Sequence, residues 1–227
     1  MDISFDQLHG IVSLLLACLE LVLVMNLLIF AEKNYINNII IQLVTLLFIY
    51  QLFEFLVCYF EIESELISYL ALLTITLMPP LSFKLAAGLN GYRGRIINLI
   101  FLPALFFIFY YAAALENVGI TECSLFYAVI NYPLGHLYGI FFFLPVIMSI
   151  ILIYFAYRRS EGQTKRLYLI LLVGYLITFL PSGVLIITTD SLWIVRESFL
   201  CKFAFFLALS ASYVAIMNKE EKKGDQL

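Results

Sequence analysis

The residues of this 227-residue chain that could do chemistry are few, and they stand in costly places. Glu20, Glu54, Arg196, Glu197 and Lys202 lie within or at the edge of long apolar stretches. An ionisable group in hydrocarbon is expensive and marks either a function or a paired partner. Lys202 reads as the one cation deep in such a stretch, with Glu54 or Glu20 as its counter-ion. At about 1.5 Å per helical residue, Glu20 lies roughly 18 Å, Lys202 roughly 13 Å and Glu54 roughly 9 Å from the outer end of its run. Glu54 shares a helix face with Gln51 and Cys58. These residues predict a polar cluster open to the outside, with Glu54, Lys202, Glu197, Glu20, Gln51 and His136 as candidate ligand-binding groups. A buried ion pair holding helices in register is the plainer use of the same residues. Opsins carry their retinal on a lysine of the seventh helix, but no other opsin-like motif accompanies Lys202, so no cofactor is expected.

Other chemistry finds little support. His9 and His136 are far apart in the chain, and two separated histidines make no metal site. His136, beside Gly135, Tyr138 and Gly139, could sense pH, although a satisfied interfacial histidine explains it as well. HExxH, GxSxG, P-loop and Cys-x-x-Cys patterns are absent, and no catalytic activity is predicted. Of the four cysteines, Cys123 could bridge to Cys58 or Cys201 in an oxidising exterior. Free thiols packing as small apolar groups is the simpler expectation for Cys18, Cys58, Cys123 and Cys201.

The elements that must position these residues follow from composition. Hydrophobic residues make up 63% of the chain and charged ones 13%, with a mean hydropathy of +1.01. Soluble domains run near 45–50% and about 25%, so lipid must be the solvent. A soluble enzyme, a nucleic-acid binder and a disordered chain are excluded. Runs of about 20 apolar residues cross a bilayer as helices. They occur at Leu8–Ala31, Asn38–Phe60, Leu66–Leu89, Ile96–Ala114, Gly135–Tyr157, Leu167–Thr188 and Trp193–Met217. The expected fold is therefore all-α, a polytopic membrane bundle of seven transmembrane helices over residues 1–217, with a short tail at 218–227. Lys33, Arg93, Arg95, Arg158, Arg159, Lys165, Arg166, Lys219, Lys222 and Lys223 fall on one side, and the opposite side is acidic. The positive-inside tendency then puts the N-terminus outside and the C-terminus in the cytoplasm of a multi-pass cell-membrane protein. The break Leu115–Leu134 is long enough to fold over the bundle.

Finer patterning suggests how the helices meet. Gly10, Ser13, Ala17 and Glu20 form one line, and Glu197, Cys201, Ala204, Ala208, Ala211 and Ala215 another. Small residues on one face let membrane helices approach closely, so both carboxylates should point into protein. Pro79, Pro80, Pro103, Pro145 and Pro181 each remove a helical hydrogen bond, and a bend is expected at the adjacent pair.

The stretch Tyr50-Gln51-Leu52-Phe53-Glu54-Phe55-Leu56-Val57 resembles the QxFEGLVW stretch of a family of uncharacterised bacterial seven-helix integral membrane proteins. Glu197-Ser198-Phe199-Leu200-Cys201-Lys202-Phe203-Ala204-Phe205-Phe206 is similar to that family's final-helix SVWCFFAA. The Pro79-Pro80 region also resembles the third helix of the seven-helix sensor regions of bacterial histidine kinases. Phe55 departs from the family's glycine, Cys58 stands near its tryptophan, and Lys202 replaces an aromatic. The resemblance implies a sensor-like bundle without assigned chemistry and points to Glu54 and Cys201. The functional expectation is a signal- or ligand-sensing module, with a small-molecule or lipid ligand entering from the outer side. A cytoplasmic effector protein would carry the signal onward, and a homo-oligomer is compatible with the aromatic outer faces. The alternative is a transporter or channel subunit whose polar path is lined by Glu20, Glu54 and Lys202.

Overall fold

Seven long apolar helices are what these residues form, because a helix satisfies its own backbone groups where no water can. The computed structural model describes residues 5–62, 64–123, 128–188 and 196–217. The helices are α1 (Phe5–Phe30), α2 (Tyr35–Phe60), α3 (Glu65–Leu89), α4 (Phe101–Ala113), α5 (Gly135–Arg159), α6 (Gly162–Thr188) and α7 (Arg196–Met217). All seven spans are long and apolar enough to cross a membrane, the fourth by adding the 3-10 turns Arg95–Ile100 to α4. Helix starts carry side-chain caps where the sequence offers them. Asn34 Oδ1 accepts from the Asn37 N–H at 2.9 Å, and Ser64 Oγ from the Ile67 N–H at 3.4 Å.

Helices consecutive along the chain pack together from α1 to α3, α5 follows α3, and α6 and α7 continue the series. The seventh helix closes the bundle by packing on α1 and α2 as well as α6. The fourth helix stands at the edge against α3. One end of the bundle gathers Glu61, Glu65 and Glu116; the other gathers Lys33, Arg93, Arg95, Arg158, Arg159, Lys165 and Arg166. These are called the acidic and the basic end below.

The small-residue lines do face the interior. Gly10, Ser13, Ala17 and Glu20 are all buried, and the line continues through Val24 and Leu27. On α7, Cys201, Ala208, Ala211 and Ala215 are buried in the same rhythm. Close approach is real at two glycines. A methyl group on Gly10 would lie 2.6 Å from Tyr59 Cβ and 2.9 Å from its Cα, so α1 touches the backbone of α2 there. A methyl group on Gly174 would lie 2.5 Å from Ser210 Oγ, which places α6 equally close to α7.

The prolines differ from one another. The α3 helix runs unbroken through Pro79 and Pro80, both buried. Pro103 lies in the first turn of α4, just after the 3-10 segment. The 3-10 turns run directly into the helix, and their carbonyls accept the Phe101 N–H.

The long break is not wholly irregular, and it adds strand to a fold expected to be helical throughout. Strands β1 (Gly119–Cys123) and β2 (Ala128–Asn131) form an antiparallel hairpin with an irregularity between Ile120 and Glu122. The hairpin lies against α1, α3 and α7 at the acidic end. It is tied down by the Ile120 N–H donating to Ser68 Oγ at 3.3 Å, by Tyr111 Oη donating to the Pro133 carbonyl at 3.1 Å, and by burial of Val118 and Ile130. A disulfide between Cys58 and Cys123 fastens it to the end of α2. This corrects the expectation of four free thiols: Cys18 and Cys201 are free, whereas Cys58 and Cys123 are joined.

Candidate functional site

Lys202 comes off α7 about two turns below its start and reaches α1 and α2. Its ammonium donates to Glu54 Oε2 at 2.6 Å, Ser13 Oγ at 2.5 Å and Gln51 Oε1 at 3.1 Å. An ammonium has three N–H donors, and each has an acceptor here. Glu54 is 1% exposed and is held at both oxygens. Ser13 Oγ donates to Oε2 at 3.3 Å and Tyr50 Oη to Oε1 at 3.4 Å. Gln51 uses its other end as well, its amide nitrogen donating to the Cys201 carbonyl at 3.3 Å. Three helices are thus pinned at one level by this network. Fully satisfied buried networks of this kind specify a single arrangement.

The depth of each partner follows from chain direction. Ser13 stands near the acidic end of α1, Glu54 six residues before the acidic end of α2, and Lys202 six residues after the start of α7. Because α2 runs opposite to both α1 and α7, these offsets bring all three to one level, and Glu54 rather than Glu20 is the counter-ion of Lys202.

Glu20 lies two turns further into α1 on the same face. It is fully buried, and neither carboxyl oxygen has a hydrogen-bond partner among the described residues. The charges of Lys202 and Glu54 still act on it. Beyond Glu20 toward the basic end the interior holds apolar Val24, Leu27, Ile36 and Ile40 together with buried Asn37, whose amide donates to the Glu32 and Ala215 carbonyls, and buried Ser212.

His136 is exposed in the first turn of α5 and is not among the partners of Lys202 or Glu54 given above. Glu197 lies in the first turn of α7, and its side chain falls outside the described residues, as do those of Arg196, Trp193 and His9.

A second cation lies within a span, near its basic end. Lys84 lies inside α3, five residues from its basic end, half-buried, with its ammonium 5.8 Å from the ring centres of both Tyr35 and Phe101. Its position within an apolar run was the signal available in the sequence.

Directly beneath the ion-pair network lies a partly open pocket between the helices, with a cavity volume of about 70 Å³. Its walls come from α2, α3, α5, α6 and α7, and nearly all are apolar: Leu47, Met78, Phe142, Phe179, Ala204 and Ala208 are typical. Cys201 belongs to both features, because it lines the cavity while its carbonyl holds Gln51. At one edge of the cavity Tyr175 Oη and Ser82 Oγ are 2.6 Å apart, and Ser82 Oγ donates to Ser149 Oγ at 3.2 Å. That chain joins α3, α5 and α6. Thr178 Oγ1 donates to the Phe203 carbonyl at 3.0 Å and joins α6 to α7. Sequence inspection had not singled out Ser82, Ser149, Tyr175 or Thr178, because isolated hydroxyls in apolar runs are common and their partners lie 25 to 93 residues away.

Among the described residues no cluster of three metal-ligating side chains occurs. Comparison with known proteins finds no family model that matches the chain and no significantly similar curated protein.

Proposed function

We propose that this chain is a multi-pass membrane sensor in which a small lipid-like molecule fills the central cavity and displaces α7. One observation carries the reading. The helix that supplies Leu200, Cys201, Ala204 and Ala208 to the cavity wall also carries Lys202, which is bonded to α1 and α2. A guest that moves this helix strains the ion pair, and a shift of α7 reaches the basic end through Met217. The binding energy of an apolar guest comes from burying its chain against these walls. An anionic head on that guest could take the place of Glu54 at Lys202.

Three further features support the reading. The hairpin and its disulfide sit over the same end as the ion pair, where a ligand from outside would arrive. A disulfide at the acidic end agrees with an oxidising exterior there, and the basic end then faces the cytoplasm. The resemblance to a bacterial sensor-like family points the same way. An effector protein at the basic end would receive the signal.

The test uses decanoic acid carrying a photoreactive diazirine on its chain. Labelling of Met78, Phe142 or Ala208, abolished when Ala208→Trp fills the cavity, is expected. Labelling confined to outward-facing residues such as Leu15 and Ile29 would overturn the reading.

A transport reading draws on one specific observation, the unpartnered carboxyl of Glu20 below the pair. It predicts proton or cation flux in liposomes that Glu54→Gln abolishes.

A further inference from the structure

The basic end holds a second pair of cations that the sensing site does not use, half-buried Lys84 and exposed Arg93. Lys84 on α3 and Arg93, just past its end, approach the same aromatic ring: the ammonium lies 5.8 Å and the guanidinium carbon 5.4 Å from the centre of Tyr35. Local sequence makes this possible. Gly88 follows Lys84 by one helical turn, and its bare face carries the Tyr35 ring; an added methyl would lie 2.9 Å from Tyr35 Cε1. Gly91 then turns the chain with φ +83°, and Tyr92 N–H closes back on the Ala87 carbonyl, which brings Arg93 over the ring. Asn90 fixes that turn by donating to the Ala86 and Leu152 carbonyls, both at 2.9 Å. Phe101 covers Lys84 from the other side.

Neither cation is ion-paired with a carboxylate among the described residues. Two positive charges beside one ring repel each other, so the arrangement lacks an anion. A phosphate matches it: a guanidinium binds phosphate oxygens in a two-pronged fashion, and an ammonium adds a point charge. Lys84 lies roughly 7 Å inside the helix end, level with the boundary between lipid headgroups and acyl chains. Basic pockets between helices at such a boundary suit anionic headgroups. We propose that Lys84 and Arg93, set by Tyr35 and Phe101, bind the phosphate of an anionic phospholipid.

Native mass spectrometry of the full chain in neutral detergent tests this with dioleoylphosphatidylglycerol and dioleoylphosphatidylcholine. A saturable adduct with the first lipid and not the second is expected. Lys84→Gln with Arg93→Gln should weaken it about thirtyfold, while Lys33→Gln with Arg95→Gln, exposed on the same end, should leave it intact. Equal binding by the wild type and the Lys84/Arg93 variant, or equal binding of both lipids, would overturn the proposal. Inorganic phosphate separates the two sources of the same chemistry: failure to displace the lipid supports a headgroup site, and displacement at equal concentration would overturn it in favour of free phosphate. Should the double variant not fold, Tyr35→Leu keeps both charges and removes their platform. A loss of about threefold is expected from it, and no loss would count against the site.

Discussion

Each N–H of the Lys202 ammonium meets an acceptor, and each oxygen of Glu54 meets a donor. Removing one partner leaves the other charge buried alone, which costs about 3 kcal/mol or more. Lys202→Met and Glu54→Gln should therefore each destabilise the bundle by that amount in thermal or steric-trap unfolding. The double variant should lose less than the sum of the two, because no orphan charge remains. Additive losses would mean that the two side chains do not act on each other. Glu20 predicts the opposite behaviour. It is buried without a hydrogen-bond partner among the described residues, so Glu20→Gln breaks no hydrogen bond there and should shift stability by less than about 1 kcal/mol. A larger loss would reveal a partner for it. The pair itself was legible in the sequence, because a charge in hydrocarbon must find a partner. The choice of Glu54 over Glu20 was legible only in part, since it depends on how far α1 and α7 slide past one another. Lys84 escaped notice because a lysine one turn from a basic helix end looks like a surface charge.

Gly10 and the Cys58–Cys123 bridge set how the elements meet at the acidic end. At Gly10 the backbones of α1 and α2 are in contact, and Ser13 stands one turn further along. Gly10→Val should push α1 outward and take Ser13 away from Lys202. The expected readout is a loss of stability that Gly94→Val, at a glycine with open space around it, does not share. Equal effects of the two substitutions would show that α1 does not need the close approach. The disulfide closes a loop of 65 residues containing α3 and α4. A loop of that length is expected to contribute about 4 kcal/mol. Cys58→Ser should lower the unfolding midpoint, and adding a reductant to the wild type should reproduce the loss; an unchanged midpoint in both would show that the bridge does not form. Helix spans were readable from apolar runs, and inward faces from small-residue spacing, because both are periodic along the chain. The hairpin and the bridge were not, since strand pairing and Cys58–Cys123 geometry depend on contacts distant in sequence.

For the whole molecule, the seventh helix is the link between the interior and the basic end. It closes the bundle against α1, α2 and α6, forms much of the cavity wall and carries Lys202. A pocket lined by five helices has no sequence signature: Ala204 and Ala208 read as packing residues until Met78, Phe142 and Phe179 are seen not to fill the space before them. The central claim is that filling this space moves α7. Spin labels at Met217→Cys on α7 and Asn98→Cys before α4, in a Cys18→Ser, Cys201→Ala background that removes both free thiols, report that movement as a distance. Saturating decanoic acid should change the distance by about 2 Å; distributions that superimpose with and without it would contradict the account.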